Sequence, residues 1–368
     1  MKKAAISILS LLLLTGCWDR LPLRNLHLVD IAELDLDEEN GDVVLHFIVT
    51  QLKSAGQGEG EPNSEITELR GPSLVEAVGK GEYIDREPFL GINTRTYIMS
   101  KRFVLHDPVS KLAFLLHSPY SSINTPVVVI EGSISDLLKS GKNEEITKNL
   151  NEFVLSLDSN GMLPTVSMMR FIVSRNEPLE DIALPLMKQY DSGMELGGAL
   201  LFHQGTYTGV NLSTEKVKTL MLLFGKEKGK HRITGHIVEN GDERPITYGF
   251  SVKKGSSKII VHPESTIGLP KVNIGVRLKI NAFELGQSSQ MLKSDYVNRM
   301  EKELNNDLEE KAAAVIRTLQ KANCDILGIG KEIKAYHPEI WRSLNWRKDY
   351  PKMSIEPNFD VQILNAED

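Results

Sequence analysis

Apolar and polar residues follow two different periods along the chain, and each period predicts a different element. Runs rich in β-branched residues, such as Leu28–Leu36 and Val43–Leu52, are typical of strands, and Asn40-Gly41 between them predicts a hairpin turn. Within Asn143–Leu157 the apolar residues recur every three or four positions, which predicts a helix. The first half of the chain therefore mixes strands and helices.

The second half carries the same mixture with a longer helix. Its apolar runs predict a hairpin over 195–210, a β meander over 233–283 with a turn at Gly255-Ser256, and a final strand at Met353–Leu364. The segment Leu292–Ala322 predicts the longest helix, because its apolar residues recur every three or four positions and form a single stripe. That stripe consists of Met300, Leu304, Leu308, Ala312, Val315, Ile316 and Leu319.

The predicted fold class is α+β, with two or three domains, mainly antiparallel sheets, helices packed on one face and a long C-terminal helix. The segment Pro178–Ser192 contains two prolines and precedes a new pattern, so we expect a domain boundary there. A strand-like run at Met162–Ser174 lies just before it. The expected division is a signal peptide at 1–16, an N-terminal α+β region at 17–190 that can hold two subdomains, and a C-terminal α+β domain at 193–368.

The N-terminus has the pattern of an exported protein. Lys2 and Lys3 precede the uncharged segment Ala4–Leu14, which is shorter than the roughly 20 apolar residues that cross a bilayer. The following Leu14-Thr15-Gly16-Cys17 resembles the lipobox of bacterial lipoproteins. The resemblance implies a lipid on the Cys17 thiol and cleavage before it, whereas the alternative is an ordinary signal peptide with an incidental cysteine. We therefore predict a lipid-anchored protein on the outer face of the cell membrane.

Tryptophan residues mark two further candidate positions. Trp18 adjoins the predicted anchor and is a candidate for contact with the membrane interface, where tryptophan is enriched. Trp341, Arg342 and Trp346 form a second cluster near the C-terminus. This cluster has two interpretations, a helix end that closes a core or a partner-contact surface, since tryptophan and arginine dominate interface hot spots.

Composition and charge disfavour several classes of protein. The 368 residues are 41% hydrophobic and 25% charged, which is typical of a folded soluble protein. The net charge of -6 becomes 41 - 49 = -8 once Lys2 and Lys3 are removed, and an acidic total disfavours nucleic acid as a partner. The two cysteines, Cys17 and Cys324, are too few for a disulfide framework or a cysteine-rich zinc site.

The sequence lacks the common linear motifs of catalysis and cofactor binding. It contains no G-x-S-x-G elbow, no P-loop and no H-E-x-x-H, and the Gly328-Ile329-Gly330 segment lacks the third glycine of a dinucleotide loop. We therefore expect no enzyme activity, no metal and no cofactor. The alternatives are a substrate-binding lipoprotein of a transporter, which the predicted β meander disfavours, and a tethered envelope hydrolase with a site that leaves no linear signature.

Three segments together resemble one family along nearly the whole chain. The segments are Cys17-Trp18-Asp19-Arg20 with Asn25–Asp35, Leu196-Gly197-Gly198-Ala199 through Gly209, and Cys324–Gly330 followed by Pro338, Trp341 and Trp346. Together they resemble the C-subunit lipoproteins of spore germinant receptors, the Ger(x)C family. The segment Gly71–Pro126 departs from the family pattern, since Phe89–Met99 lacks the expected histidine.

The resemblance implies a role in a membrane receptor. The chain would be one of three subunits, beside two integral-membrane proteins, on the outer leaflet of the spore's inner membrane. It would support receptor assembly and the response to nutrients such as amino acids. The family fold has three α+β domains, and Cys17 is the one functional position that the resemblance carries over. The resemblance does not identify the nutrient, and it does not imply that this subunit contacts the nutrient.

Overall fold

The computed structural model describes residues 27–51, 63–84, 89–118, 121–134, 143–190, 193–225, 232–237, 245–263, 268–286 and 294–364. Within these ranges the chain forms two β-sheets surrounded by helices, which confirms the predicted α+β class. The helices in the described ranges are all too short or too polar to cross a membrane.

The larger sheet is built from the first nine strands. These are β1 (His27–Leu36), β2 (Val43–Gln51), β3 (Asn63–Gly71), β4 (Phe89–Leu90), β5 (Thr96–Ser100), β6 (Val127–Ile130), β7 (Ile182–Tyr190), β8 (Gly193–His203) and β9 (Thr206–Leu212). Their order is β3-β2-β1-β5-β6-β7-β8-β9, with β4 paired to β1. β1, β5, β6 and β7 run parallel in the centre, and antiparallel pairs flank them. The sheet is therefore mixed, and its antiparallel ladders are together longer than its parallel ones, in agreement with the predicted sheets.

Helices cover both faces of this sheet, whereas the sequence suggested one covered face. The helices are α1 (Leu74–Ile84), α2 (Lys101–Val104), α3 (Pro108–Leu112), α4 (Asn143–Ser159) and α5 (Met168–Val173). Phe103 and Phe171 pack with the core on one face, while Leu150 and Val154 of α4 pack on the other. Every residue of β5 and β6 is buried, as expected of parallel strands enclosed on both sides.

The smaller sheet carries the long helix. After α6 (Thr214–Leu223), the elements are β10 (Ile233–Ile237), β11 (Ile246–His262), β12 (Lys271–Leu285), α7 (Ser294–Lys321), α8 (Ile329–Tyr336), α9 (Pro338–Ser343), α10 (Trp346–Asp349) and β13 (Ser354–Leu364). The strand order is β10-β11-β12-β13, and β13 pairs parallel to β12. All seven residues of the predicted apolar stripe on α7 are buried, so that prediction is confirmed.

Two local predictions were wrong for identifiable reasons. The run Met162–Ser174 contains helix α5, because the Ser167 side chain caps the helix by accepting a hydrogen bond from the Arg170 amide. Gly255 is not in a turn, since β11 continues through it as one 17-residue strand. A Cβ on Gly255 would lie 3.1 Å from the carbonyl oxygen of Gly225, so the glycine permits close backbone approach.

Strand β8 belongs to both halves of the molecule. The boundary predicted at 190–193 lies between β7 and β8, which pair antiparallel in one sheet. Leu200 and Phe202 of β8 pack into the core of the larger sheet, whereas Ala199 and Leu201 pack with the core around α6 and α7. The larger sheet therefore extends through the start of the predicted C-terminal domain, as far as Leu212.

Side chains of α7 cover the outer edge of β13. The amides of Phe359, Val361 and Ile363 donate to side-chain oxygens of Glu309, Asn305 and Glu301, at 2.9, 3.0 and 2.7 Å respectively. The three acceptors are four residues apart and therefore lie on one face of the helix. These side chains satisfy an edge that would otherwise present free amides.

We expect Asn305→Ala to lower the free energy of unfolding by about 1–2 kcal/mol, because it leaves the buried Val361 amide without an acceptor. Urea unfolding followed by circular dichroism measures this change. The matched control is Asn306→Ala, which alters an exposed asparagine at the next position of the same helix. Equal losses in the two variants would contradict the edge-covering role.

Candidate functional site

A buried polar cluster joins the start of β7 to the C-terminal helices. The Asp181 side chain is fully buried, and its carboxylate contacts His203 Nδ1 at 2.9 Å and Arg347 Nη1 at 2.8 Å. It also accepts a hydrogen bond from the Asp325 amide at 2.6 Å. Burial raises the pKa of Asp181, but the His203 and Arg347 hydrogen bonds lower it more, so its pKa lies below the ordinary value. This arrangement stabilises an ionised carboxylate between distant segments.

Asp325 lies beside this cluster, and its pKa is shifted in the opposite direction to that of Asp181. Its carboxylate accepts hydrogen bonds from the amides of Ile329 at 3.0 Å and Gly330 at 2.7 Å, at the start of α8. Burial raises the pKa of Asp325 to about 7, although those two hydrogen bonds act to lower it. The neighbouring Asp181 charge also raises the pKa. Asp325 therefore exchanges its proton near neutral pH.

The predicted tryptophan cluster lies next to these residues and divides between core and surface. Trp346 is only 6% exposed, and its ring lies 5.2 Å from the Tyr350 ring and 5.7 Å from the Trp341 ring. A Cβ on Gly330 would come within 2.6 Å of the Trp346 ring. Trp341 is half-buried, and Arg342 is exposed and paired with Glu339. Trp346 thus closes the core, and the surface side of the cluster consists of Trp341 and Arg342.

A second polar row crosses the larger sheet, and it is buried at Glu33 and His46 and exposed at Glu68. Glu33, His46 and Glu68 occupy directly paired positions on β1, β2 and β3. His46 Nδ1 lies 2.7 Å from Glu33 and its Nε2 lies 3.2 Å from Glu68. Burial lowers the pKa of His46, but hydrogen bonds and charge from the two glutamates raise it above the ordinary value. Glu33 also accepts a hydrogen bond from the Ile134 amide at 2.8 Å. The row secures the edge strands to the centre.

An apolar cavity of about 310 Å³ opens between α4, β8, α6 and the smaller sheet. Its floor is buried, and its walls are half-buried side chains from both halves of the molecule. The lining residues are Phe153, Gly161, Met162, Met194, Glu195, Leu196, Thr214, Val217, Lys218, Met221, Leu222, Ile233 and Val252. The volume is at the lower end of the range for small-molecule sites.

The remaining predicted site residues, Cys17 and Trp18, lie outside the described residues. Among the described residues, no group of three histidine, cysteine, aspartate or glutamate side chains is placed to hold a metal ion. Cys324 is buried with a free thiol, and burial raises its pKa well above the ordinary value. Sequence reasoning missed Asp181, Glu33 and His46. The available signal was an acidic residue next to or inside an apolar run.

Two family models match the chain in consecutive order. One, described as the spore germination protein N-terminal domain, matches residues 19–189. The other, described as Spore germination B3/GerAC like, C-terminal, matches residues 197–367. The chain belongs to the Ger(x)C family. This family comprises the C subunits of germinant receptors, in agreement with the resemblance found in the sequence.

Relatives of this Ger(x)C chain are similar over almost their whole length. Spore germination protein GerQC of Bacillus cereus is 20% identical over 370 residues, covering 100% of this chain and 99% of the relative. Spore germination protein KC of Bacillus subtilis is 19% identical, covering 98% and 94% respectively. The putative spore germination protein YfkR of the same species is 20% identical, covering 89% and 86%.

A solved structure has the same fold as this Ger(x)C chain. The crystal structure of the GerBC protein superposes with a TM-score of 0.60 at 16% sequence identity. The match covers 90% of this chain and 97% of the GerBC chain. The two-domain α+β arrangement is therefore shared. The junction between the two family models, at 189–197, coincides with the β7–β8 hairpin.

Proposed function

We propose that this chain is the membrane-tethered lipoprotein subunit of a nutrient germinant receptor, needed for receptor assembly and for the response during spore germination. The observation that carries this proposal is the ordered match of both Ger(x)C family models, over residues 19–189 and 197–367. The named relatives in two Bacillus species are spore germination proteins of nearly the same length. The proposed role is structural and regulatory, with no catalytic step.

The proposed tether is a lipid on Cys17. The lipobox-like Leu14–Cys17 segment supports it, and two acyl chains suffice for stable membrane attachment where one does not. Trp18 would then lie at the membrane interface, and the folded region would sit on the outer face of the spore's inner membrane. The proposed partners are two integral-membrane receptor subunits. Trp341 and Arg342 are the candidate contact residues for these partners, since they occupy the surface side of the tryptophan cluster.

We expect Cys17→Ala to move the protein from the membrane fraction to the soluble fraction of spores and to reduce germination to the level of a strain without the gene. The reason is the loss of the only thiol in the lipobox-like segment. Immunoblotting of both fractions and the fall in optical density after nutrient addition measure these effects. Cys324→Ala is the matched control, because it removes the other cysteine without touching the anchor.

A strain lacking the gene tests the receptor role separately, with a panel of single nutrients. Loss of the response to one nutrient class, with normal responses to the others, supports the proposal and names the signal. An undiminished response to every nutrient, in a strain whose other germinant receptors have been deleted, contradicts it. Unchanged membrane retention of the Cys17→Ala protein contradicts the lipid tether alone.

A further inference from the structure

The proposed receptor-subunit function assigns no role to the apolar cavity between the two halves of the molecule. The cavity is partly open to solvent and has room for the equivalent of about ten water molecules. Its floor consists of Val217, Met221, Leu222 and Val252, each less than 9% exposed. The cavity is therefore an apolar cleft with a buried floor.

The walls of the cavity favour a flexible hydrocarbon. Three of the lining side chains are methionines, at positions 162, 194 and 221, and methionine adapts its shape to irregular apolar partners. Phe153 of α4 and Leu196 of β8 complete the walls from the side of the larger sheet. An apolar ligand would replace water along these walls and gain free energy in proportion to the area that it covers.

Charged side chains lie at the mouth. Glu195 on β8 is exposed, and Lys218 on α6 is 34% exposed and paired with Glu215 at 2.7 Å. Among the described lining residues, these two are the only charged ones, and their charges are opposite. A polar head without net charge adds no repulsion at this mouth, whereas an anionic head would be repelled by Glu195 and by Glu215, the partner of Lys218.

We propose that the cavity binds a single-chain amphiphile of about ten carbons, with its hydrocarbon chain between the apolar floor and the methionine-containing walls and an uncharged or zwitterionic head between Glu195 and Lys218. The chain length follows from the cavity volume of about 310 Å³ if each methylene group occupies about the 30 Å³ of a water molecule. A ligand in this position touches α4 and β8 as well as α6 and β11. It therefore joins the two cores of the protein.

Photolabelling tests this proposal on the purified full chain in phosphatidylcholine vesicles. The probe is a ten-carbon alkanol that carries a diazirine near the end of its chain. We expect saturable labelling of peptides that contain Met221 or Met194, and competition by unlabelled 1-decanol. From 1-hexanol to 1-decanol, the affinity calculated from the free aqueous alkanol concentration should rise about fourfold for each methylene, which corresponds to about 0.8 kcal/mol. Longer alkanols should gain nothing further, since the cavity is then full.

Variants separate the cavity from general membrane partitioning. Met221→Trp fills the floor and should reduce the cavity labelling at least tenfold, while Met162→Trp fills the wall and gives a second measurement if the first variant does not fold. The control is Met169→Trp, which places the same ring on an exposed position of α5 outside the cavity. Labelling that does not saturate, or that persists in both filled variants with normal circular dichroism, would overturn the proposal.

Discussion

Asp181→Ala is expected to lower the free energy of unfolding by about 3–5 kcal/mol, the range found when one partner of a buried ion pair is removed. The change leaves the Arg347 guanidinium without its buried carboxylate partner and removes the acceptor for the Asp325 amide. His203 also loses its 2.9 Å contact. Urea unfolding monitored by far-ultraviolet circular dichroism, with the midpoint and the slope reported separately, measures this loss.

The adjacent acidic residue supplies a matched control. Glu180 pairs with Arg170 and Lys331, but those cations are about half exposed. Such surface pairs contribute about 0–1 kcal/mol, so Glu180→Ala should change the free energy of unfolding by no more than that. The Glu180 side chain is itself 17% exposed, so the expected difference between the neighbouring positions isolates the burial of both partners of the ion pair as the cause. If the two variants lose equal stability, the Asp181 cluster does not hold the two halves together.

The second large effect concerns pH. The pKa of Asp325 is raised from 3.8 to about 7, so the folded protein binds this proton more tightly than the unfolded chain does. The corresponding stability is complete below about pH 4 and is lost as the pH rises through about 7. Between pH 5 and pH 8 this one group is expected to remove about 3 kcal/mol from the free energy of unfolding.

Asp325→Asn removes this dependence, because an amide keeps an acceptor oxygen for the start of α8 but cannot ionise. The free energy of unfolding of the variant should therefore fall about 3 kcal/mol less than that of the unsubstituted protein between pH 5 and pH 8. His46, whose pKa is also raised, contributes a loss of the same sign in both proteins and cancels in the comparison. Urea titrations at half-unit pH intervals measure the two curves. Parallel curves would show that Asp325 is not the titrating group.

The correctly predicted elements have either a specific turn signal or a long, regular spacing of apolar residues. The β1–β2 hairpin has Gly41 at φ +74°, as its turn requires, and α7 repeats its apolar stripe from Met300 to Leu319, over more than five turns. The errors fall where the period is short or interrupted. Met168–Val173 is six residues long, so a capping serine decides between helix and strand, and Gly255 interrupts a strand without ending it.

The candidate site was less predictable because its partners are distant in sequence. Asp181 meets Asp325 across 144 positions and Arg347 across 166, and no local pattern records such contacts. The two interpretations of the tryptophan cluster could be separated only when the rings of Trp341 and Trp346 were seen to differ in burial. The cavity likewise depends on the approach of α4 to α6, which belong to different cores.

The double role of β8 limits how this family can exchange parts by recombination. A crossover at residues 190–193, where the two family segments meet, would pair β7 of one parent with β8 of another inside a single sheet. The hybrid would need Leu200 and Phe202 to fit one parent's core while Ala199 and Leu201 fit the other's. A crossover at Ser213, after β9 and before α6, would keep the larger sheet whole and inherit it as one unit.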